Sequence, residues 1–154
     1  MILFERQRAP YTISTDPDRL DFDAVHTFLA HESYWARGME RDVLTRAIDH
    51  SLCFGVYCPD GQIGFARVIS DYATYAYLND VYILAPHRGQ GLASWLLESL
   101  LEHPDLQGLH RIMLTTKDAQ AFYGRFGFTP LVIPERHMER LAPDLYQLLI
   151  ATQS

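Results

Sequence analysis

The sequence has few cysteines, an excess of acidic over basic residues, and no long apolar run. Its two cysteines, Cys53 and Cys58, are spaced as neither a C-x-x-C redox pair nor a zinc site. Thirteen Lys and Arg against nineteen Asp and Glu give a formal net charge of -6, which argues against the basic face that nucleic acids require. No window is long enough to span a bilayer, and the apolar start is too short for a signal peptide. We therefore expect a cytoplasmic protein that binds neither nucleic acid nor membrane, with one domain over residues 1–154 and no structural metal.

The two commonest nucleotide-binding motifs are also missing. No segment has the form G-x-x-x-x-G-K-[ST] of a nucleotide-hydrolysing P-loop. The dinucleotide motif G-x-G-x-x-G is met by Gly89 and Gly91, but Ser94 stands at its third glycine. The sequence therefore argues against both a nucleotide-hydrolysing P-loop and a dinucleotide-binding site.

A glycine-containing turn, residues 88–93, is nevertheless the most informative segment. It follows a strand-like run, Tyr75 to Leu84, and leads into an amphipathic helix, Gly91 to His103. Backbone N–H groups at such a helix start have no partner in the helix and lie at its positive end. The turn therefore predicts a cradle for phosphate.

Hydrophobic periodicity predicts a mixed succession of helices and strands. Pro59-Asp60-Gly61 is typical of a hairpin turn. The predicted helices are Asp21 to His31, Glu40 to His50, Gly91 to His103 and Asp118 to Phe126. The predicted strands are Tyr11 to Ser14, Leu52 to Tyr57, Gln62 to Ser70, Tyr75 to Leu84, Arg111 to Leu114 and Phe128 to Ile133.

Two segments resemble motifs of the GNAT superfamily of N-acetyltransferases. The turn matches motif A, [RQ]-x-x-G-x-[GA], at Arg88, Gly91 and Ala93. The segment from Ala119 to Phe128 matches motif B, A-x-x-x-Y-x-x-x-G-F, with Tyr123 at its tyrosine. The two motifs occur in the family's order, which makes the resemblance far more specific than either motif alone.

The resemblance implies an α+β fold with a mostly antiparallel central sheet of six to seven strands and helices on both faces. The sheet splays between its fourth and fifth strands, which here end at Leu84 and start near Arg111. Acetyl-CoA is the implied cosubstrate, with no metal. Its implied contacts are Ile83 and Leu84 at the acyl carbonyl, Thr116 where relatives commonly carry asparagine, and the turn residues Arg88, Gly89, Gln90, Gly91, Leu92 and Ala93.

The resemblance also suggests two catalytic groups. Tyr123 is the implied general acid for the departing thiolate, because a phenol is protonated at neutral pH; the alternative is an aromatic core residue. Asp80 is a candidate general base, although relatives often carry glutamate at the position of Leu78. Strand alternation would put Leu78, Asp80 and Tyr82 on one face, and the alternative for Asp80 is a structural role at the turn.

Asp118 is interpreted as a helix N-cap.

The expected acceptor is a small-molecule primary amine that attacks the thioester directly. Aromatic residues on irregular segments are expected to line its pocket, although Trp35 could equally cover the core. The alternative function is an acyl-CoA-binding sensor or structural module. The apolar residues of segment 141–150 are equally compatible with a homodimer contact and with packing on the chain's own sheet. The expected pocket residues are Tyr34, Trp35, Tyr72 and Tyr75.

Overall fold

The computed structural model describes residues 2–151 and divides the chain into two compact units, one ending at Lys117 and the other beginning at Asp118. The first unit contains the sheet and three helices, and the second contains two helices. The strands are β1 Glu5–Arg8, β2 Tyr11–Ser14, β3 Leu52–Cys58, β4 Gly61–Ser70, β5 Tyr75–Ile83 and β6 Arg111–Met113. The helices are α1 Phe22–Thr27, α2 Arg41–Asp49, α3 Leu92–Leu101, α4 Gln120–Gly124 and α5 Pro143–Ala151.

The sheet has the order β1-β2-β3-β4-β5-β6, and each neighbouring pair is antiparallel except β5 and β6. The parallel pair is joined only at the start of β5, from Tyr75 opposite Arg111 to Tyr77 opposite Met113. Beyond Tyr77 the strand continues to Ile83 paired with β4 alone. This opening confirms the splay expected between Leu84 and Arg111.

Strand β1 was not predicted from the sequence. Its residues, Glu5 to Arg8, are all polar or charged, and it pairs with β2 across the turn at Ala9 and Pro10. Because neither alternation nor β-branched residues mark this segment, the periodicity gives no signal. It lies at the edge of the sheet, where charged side chains are common.

A bulge interrupts β5 where the sheet opens. Tyr82 lies opposite Phe65 and Asn79 opposite Arg67, so Asp80 and Val81 together face one residue of β4. Asp80 has a left-handed φ of 56°. The bulge shifts the side-chain alternation by one residue.

The shift changes which β5 residues share a face. Directly opposed residues of an antiparallel pair lie on the same face, and Leu78 is opposite Val68 whereas Tyr82 is opposite Phe65. Because residues 65 and 68 are an odd number apart on β4, Leu78 and Tyr82 lie on opposite faces. The expectation that Leu78, Asp80 and Tyr82 share one face is therefore wrong.

Helices cover both faces of the sheet. On one face, residues of α1, of the turn Phe28–Glu32 that follows it and of α2 pack against Phe65 and Tyr82 in a buried cluster that includes Val25, Leu29 and Leu44. On the other, α3 contacts β3 and β5 and buries Leu96, Leu97 and Leu100 completely. Burial of such side chains stabilises the unit by about 1.5 to 3 kcal/mol each.

The second unit is less regular than the sequence predicts. Helix α4 spans Gln120–Gly124 and its N-cap is Ala119, without a side-chain hydrogen bond, so the interpretation of Asp118 as the cap is wrong. Residues 128–133 form no strand. Pro130 interrupts the segment and lacks an N–H, and Val132 is 91% exposed. The apolar residues that predicted a strand therefore have no sheet to join.

Across residues 2–151, none of the helices has the length and apolar character needed to cross a bilayer.

Candidate active site

The turn between β5 and α3 has the backbone geometry expected of a phosphate cradle. Gly89 and Gly91 adopt left-handed φ values of 79° and 77°, and a Cβ at either position would meet nothing within 4 Å. The first backbone bond of α3 runs from Trp95 N to Gly91 O. The part of the chain from residue 2 to 151 offers no acceptor to the N–H groups of residues 89–93. An anion is the natural partner for such a row of donors.

Arg88 is held by two hydrogen bonds to backbone carbonyls of the residues just before it. Its backbone N–H donates to Ala85 O at 3.2 Å, and its Nε donates to Ile83 O at 2.8 Å. The row of donors in the turn therefore starts at Gly89, and the Arg88 amide is already used by the chain. The guanidinium stays close to the cradle because its Nε is fixed to the end of β5.

Ile83 and Leu84 differ in the direction of their N–H groups. Leu84 N donates to Ile63 O at 2.8 Å across the ladder with β4. Because bonded and non-bonded pairs alternate in an antiparallel ladder, Ile83, opposite Gly64, directs its N–H and carbonyl away from β4. Only Ile83 thus presents an N–H to the open edge, and the carbonyl contact expected of Leu84 is not available from its amide.

Asp80 belongs to a buried network. Its Oδ2 accepts from Arg67 Nε at 2.8 Å and its Oδ1 accepts from Trp35 Nε1 at 2.8 Å. The side chains of Arg67 and Asp80 are only 8% and 2% exposed. Arg67 also donates to Ser51 Oγ at 3.1 Å. Both carboxylate oxygens are therefore occupied, which favours a structural role for Asp80 over the general base. Its partners are Arg67 and Trp35 and not residues of the glycine turn, where the structural alternative had placed that role.

The four aromatic residues expected at the acceptor pocket form two separate groups. Tyr34 and Trp35 pack edge to face with ring centroids 5.1 Å apart. Tyr72 lies in the loop between β4 and β5, and Tyr75 is the first residue of β5, where it donates its hydroxyl to Met113 Sδ. Within residues 2–151 no ring contact joins the two groups. Trp35 is 38% exposed and hydrogen-bonded to Asp80, so it has features of both its pocket and its core alternatives.

The loop that carries Tyr72 and leads into β5 at Tyr75 is organised by one carboxylate. Asp71 accepts hydrogen bonds from the Thr74 hydroxyl and from the backbone N–H groups of residues 73–75. The Thr74 hydroxyl, followed by these N–H groups, lowers the pKa of Asp71. The loop is therefore closed by an Asx-type turn with Tyr72 at a φ of 59°.

A groove of about 420 Å³ lies beside the cradle, lined by Phe28, Glu32, Leu84, Ala85, Pro86 and Arg88. Phe28 and Glu32 belong to a π-helical turn, Phe28–Glu32, that continues α1. The Phe28 ring stacks on Tyr82 with centroids 3.7 Å apart. The end of β5, the cradle and the turn after α1 therefore meet at one groove.

Tyr123 and Thr116 are placed on different units. Thr116 follows β6 in the first unit and is half-buried. Tyr123 lies on α4 in the second unit, with its ring 5.0 Å from that of Phe122 and 5.8 Å from that of Phe128, centroid to centroid. These contacts are compatible with both interpretations of Tyr123, and its role stays a prediction.

Cys53 is not arranged as a nucleophile. Burial raises the pKa of Cys53 to about 12, with smaller contributions from nearby carboxylates that oppose the lowering by Arg67. A thiol that is not ionised at neutral pH is a poor nucleophile. Cys58 lies at the end of β3, next to the hairpin turn.

Residues 12–128 match the family model described as "Acetyltransferase (GNAT) family". The chain belongs to the GNAT acetyltransferase family. GNAT membership implies transfer of an acyl group from an acyl-coenzyme A and agrees with the six-stranded splayed sheet. The match covers the cradle, the end of β5 and the motif B tyrosine.

Individual relatives agree with GNAT membership. A Gibberella zeae protein named as a candidate acetyltransferase is 36% identical over 140 residues, covering 77% of this chain and 78% of that protein. A GNAT-family crystal structure from Xanthomonas campestris is 48% identical with a TM-score of 0.85, covering 88% of this chain and 96% of that chain. A Clostridium acetobutylicum structure described as an acetyltransferase with acetyl-CoA shares the fold at 14% identity and a TM-score of 0.58, covering 86% of this chain and 94% of that one.

Sequence analysis did not single out two residues of this candidate site. Arg67 stands inside an apolar strand, and an isolated arginine there signals a buried ion pair. The sequence assigns the segment 32–38 to the acceptor site but does not single out Glu32 within it. Its place in the groove depends on the π-helical turn, for which the sequence has no clear signal.

Proposed function

We propose that the protein is an acetyl-CoA-dependent N-acetyltransferase that acetylates a primary amine of a small molecule by direct attack. The observation that carries this proposal is the row of N–H groups at residues 89–93 beside the open edge of β5. The Clostridium acetobutylicum relative described with acetyl-CoA adds support for that cosubstrate.

The residues of the cradle fit a pyrophosphate. Two left-handed glycines stand directly before the ten-residue helix α3, whose first N–H groups have no partner in the helix and lie at its positive end. The Cβ positions of both glycines face open space, so a phosphate oxygen can approach the backbone closely. Arg88 adds a positive charge that its bond to Ile83 O keeps beside the turn.

The cosubstrate supplies an acetyl thioester whose carbonyl becomes negatively charged when an amine attacks it. Ile83 presents an N–H at the open edge of β5, where it can stabilise that charge as in an oxyanion hole. Thr116 offers a hydroxyl shortly after β6. Backbone groups along the unpaired part of β5 are suited to bind an extended chain as a further strand would.

Two side chains have proposed chemical roles. Tyr123 donates a proton to the leaving thiolate, since a phenol is protonated at neutral pH. Asp80 holds Trp35 and Arg67 in place and acts as a positioning residue, because both of its oxygens already accept hydrogen bonds. Direct attack requires no enzyme nucleophile, which agrees with the raised pKa of Cys53.

The proposal is tested by thiol release from acetyl-CoA in the presence of a panel of small amines, with the product identified by mass spectrometry. The expected result is amine-dependent release of coenzyme A and an N-acetylated product. Tight binding of coenzyme A without turnover of any amine would instead support the acyl-CoA-binding module.

A further inference from the structure

The groove beside the cradle contains a carboxylate without a partner. Glu32 lines it together with Phe28, Leu84, Ala85, Pro86 and Arg88. Within residues 2–151, no hydrogen bond or ion pair reaches the Glu32 carboxylate. It therefore differs from Asp80, whose two oxygens are both used inside the protein.

The backbone around Glu32 is held firmly. Ser33 N donates to Phe28 O at 2.9 Å, which closes the π-helical turn, and Ser33 Oγ donates to Leu29 O at 2.7 Å. The stacking of Phe28 on Tyr82 fixes the other end of the turn against the sheet. Such turns often occur at functional sites. Here the turn sets Glu32 at the groove wall.

The other residues that line the groove indicate which ligand group would bind the Glu32 carboxylate. Phe28, Leu84 and Pro86 are apolar, and Arg88 is fixed by its Nε to Ile83 O on the side of the anion cradle. Glu32 is exposed to water in the open groove, and a ligand that fills the groove would displace that water from its carboxylate. A cationic group on the ligand offsets this desolvation cost, because it replaces the lost water with an ion pair.

We propose that Glu32 binds the ammonium group of the acceptor, so that the preferred acceptors are small alkylamines that are cationic at neutral pH. This inference rests on the proposed transferase function and names the acceptor class for the same site. It concerns capture of the acceptor, before any bond is made or broken. Glu32 is thus a specificity-determining residue.

The test compares alkylamines with arylamines of similar size, because arylamines are neutral at pH 7. In Glu32→Gln the KM for alkylamines should rise roughly tenfold, as expected for loss of one charge-assisted hydrogen bond, while kcat stays close to that of the wild type. The KM for arylamines should not change. Glu32→Asp, which keeps the charge, should retain the preference for alkylamines.

Glu40→Gln is the matched control. Glu40 is an exposed glutamate whose side chain makes no capping hydrogen bond at the start of α2. An equal change with both amine classes in Glu32→Gln, or the same change in Glu40→Gln, would overturn the assignment of Glu32.

Calorimetry separates this inference from the proposed function. Coenzyme A should bind the wild type and Glu32→Gln equally, and an alkylamine should bind the coenzyme-loaded wild type more tightly than the variant. If alkylamines bind in this Glu32-dependent way but are never acetylated, the transferase proposal fails and the ion pair with Glu32 is supported. If they are acetylated and Glu32→Gln changes nothing, only the role of Glu32 is wrong.

Discussion

Trp35 donates its indole N–H to the Asp80 carboxylate, with 2.8 Å between Nε1 and Oδ1. The second oxygen of that carboxylate pairs with Arg67. The loop after the π-helical turn is thereby tied to a buried ion pair at the bulge of β5. Because the bulge lies where the sheet opens, the same contacts set the position of the loop that carries Trp35 and of the end of β5.

Asp80→Asn should destabilise the protein while leaving its pH–rate profile unchanged in shape. Asparagine tolerates the left-handed backbone and still accepts from Trp35, but it leaves Arg67 buried without a counter-ion. Removing one partner of a buried pair costs about 3 to 5 kcal/mol, measurable by chemical denaturation. Adding Arg67→Met should recover part of the loss. Disappearance of the limb of the kcat profile that rises with pH would instead identify Asp80 as the general base.

Gly91→Ala should weaken coenzyme A binding beyond its effect on stability. Alanine in the left-handed region costs roughly 1 to 2 kcal/mol, and its Cβ would also point into the space where a phosphate approaches. Gly108→Ala is the matched control, since Gly108 has a φ of 75° and equally open surroundings. Both variants should lose similar stability, and only Gly91→Ala should lose affinity in calorimetry. Equal affinities would argue against the cradle.

Tyr123→Phe should lower kcat by about a hundredfold or more, the usual contribution of a general acid, without changing the affinity for coenzyme A. The control is Tyr146→Phe, on the exposed surface of α5. Steady-state kinetics with acetyl-CoA and one amine measure kcat for both variants. If Tyr123→Phe keeps its kcat and only unfolds more easily, Tyr123 is a packing residue.

His103 should make the protein less stable in mild acid. It is buried between the rings of Phe4 and Phe54, and its Nδ1 accepts from Asp105 N. Burial lowers its pKa, so the unfolded chain binds a proton more readily than the folded one. The free energy of unfolding should therefore fall as the pH drops below about 6.5, the ordinary pKa of histidine.

His103→Asn isolates that effect. Asparagine keeps an acceptor for Asp105 N but does not titrate, so the variant should be less stable at neutral pH and lose less stability on acidification. Melting temperatures of the wild type and the variant, measured between about pH 7.5 and 5.5, give the slope of stability against pH for each protein around the histidine pKa. Identical slopes in variant and wild type would assign the acid sensitivity to other groups.

The parts of the fold that the sequence predicts are those marked by local signals. Asp60-Gly61 marks the hairpin of β3 and β4, and the leucine periodicity of α3 marks its buried face. The bulge at Asp80 is not marked, because regular alternation is the default for a strand. The prediction of a strand at residues 128–133 was wrong. It rested on the apolar residues of the segment, but these residues and Pro130 have no neighbouring strand with which to pair.

The candidate site divides in the same way. The turn at residues 88–93 is a local feature, so glycine spacing was enough to predict its backbone conformation. The use of the Leu84 amide by Ile63, the pair of Asp80 with Arg67 and the exposure of Glu32 to the groove depend on contacts between distant segments. Residue types alone do not determine such contacts.

The most direct test of the central proposal is a titration of isotope-labelled protein with coenzyme A, followed by the chemical shifts of backbone amides. We expect the largest shift changes in the first unit at the N–H groups of residues 89–93. Unchanged amides in this turn at saturating coenzyme A, with changes concentrated elsewhere in that unit, would contradict the phosphate cradle.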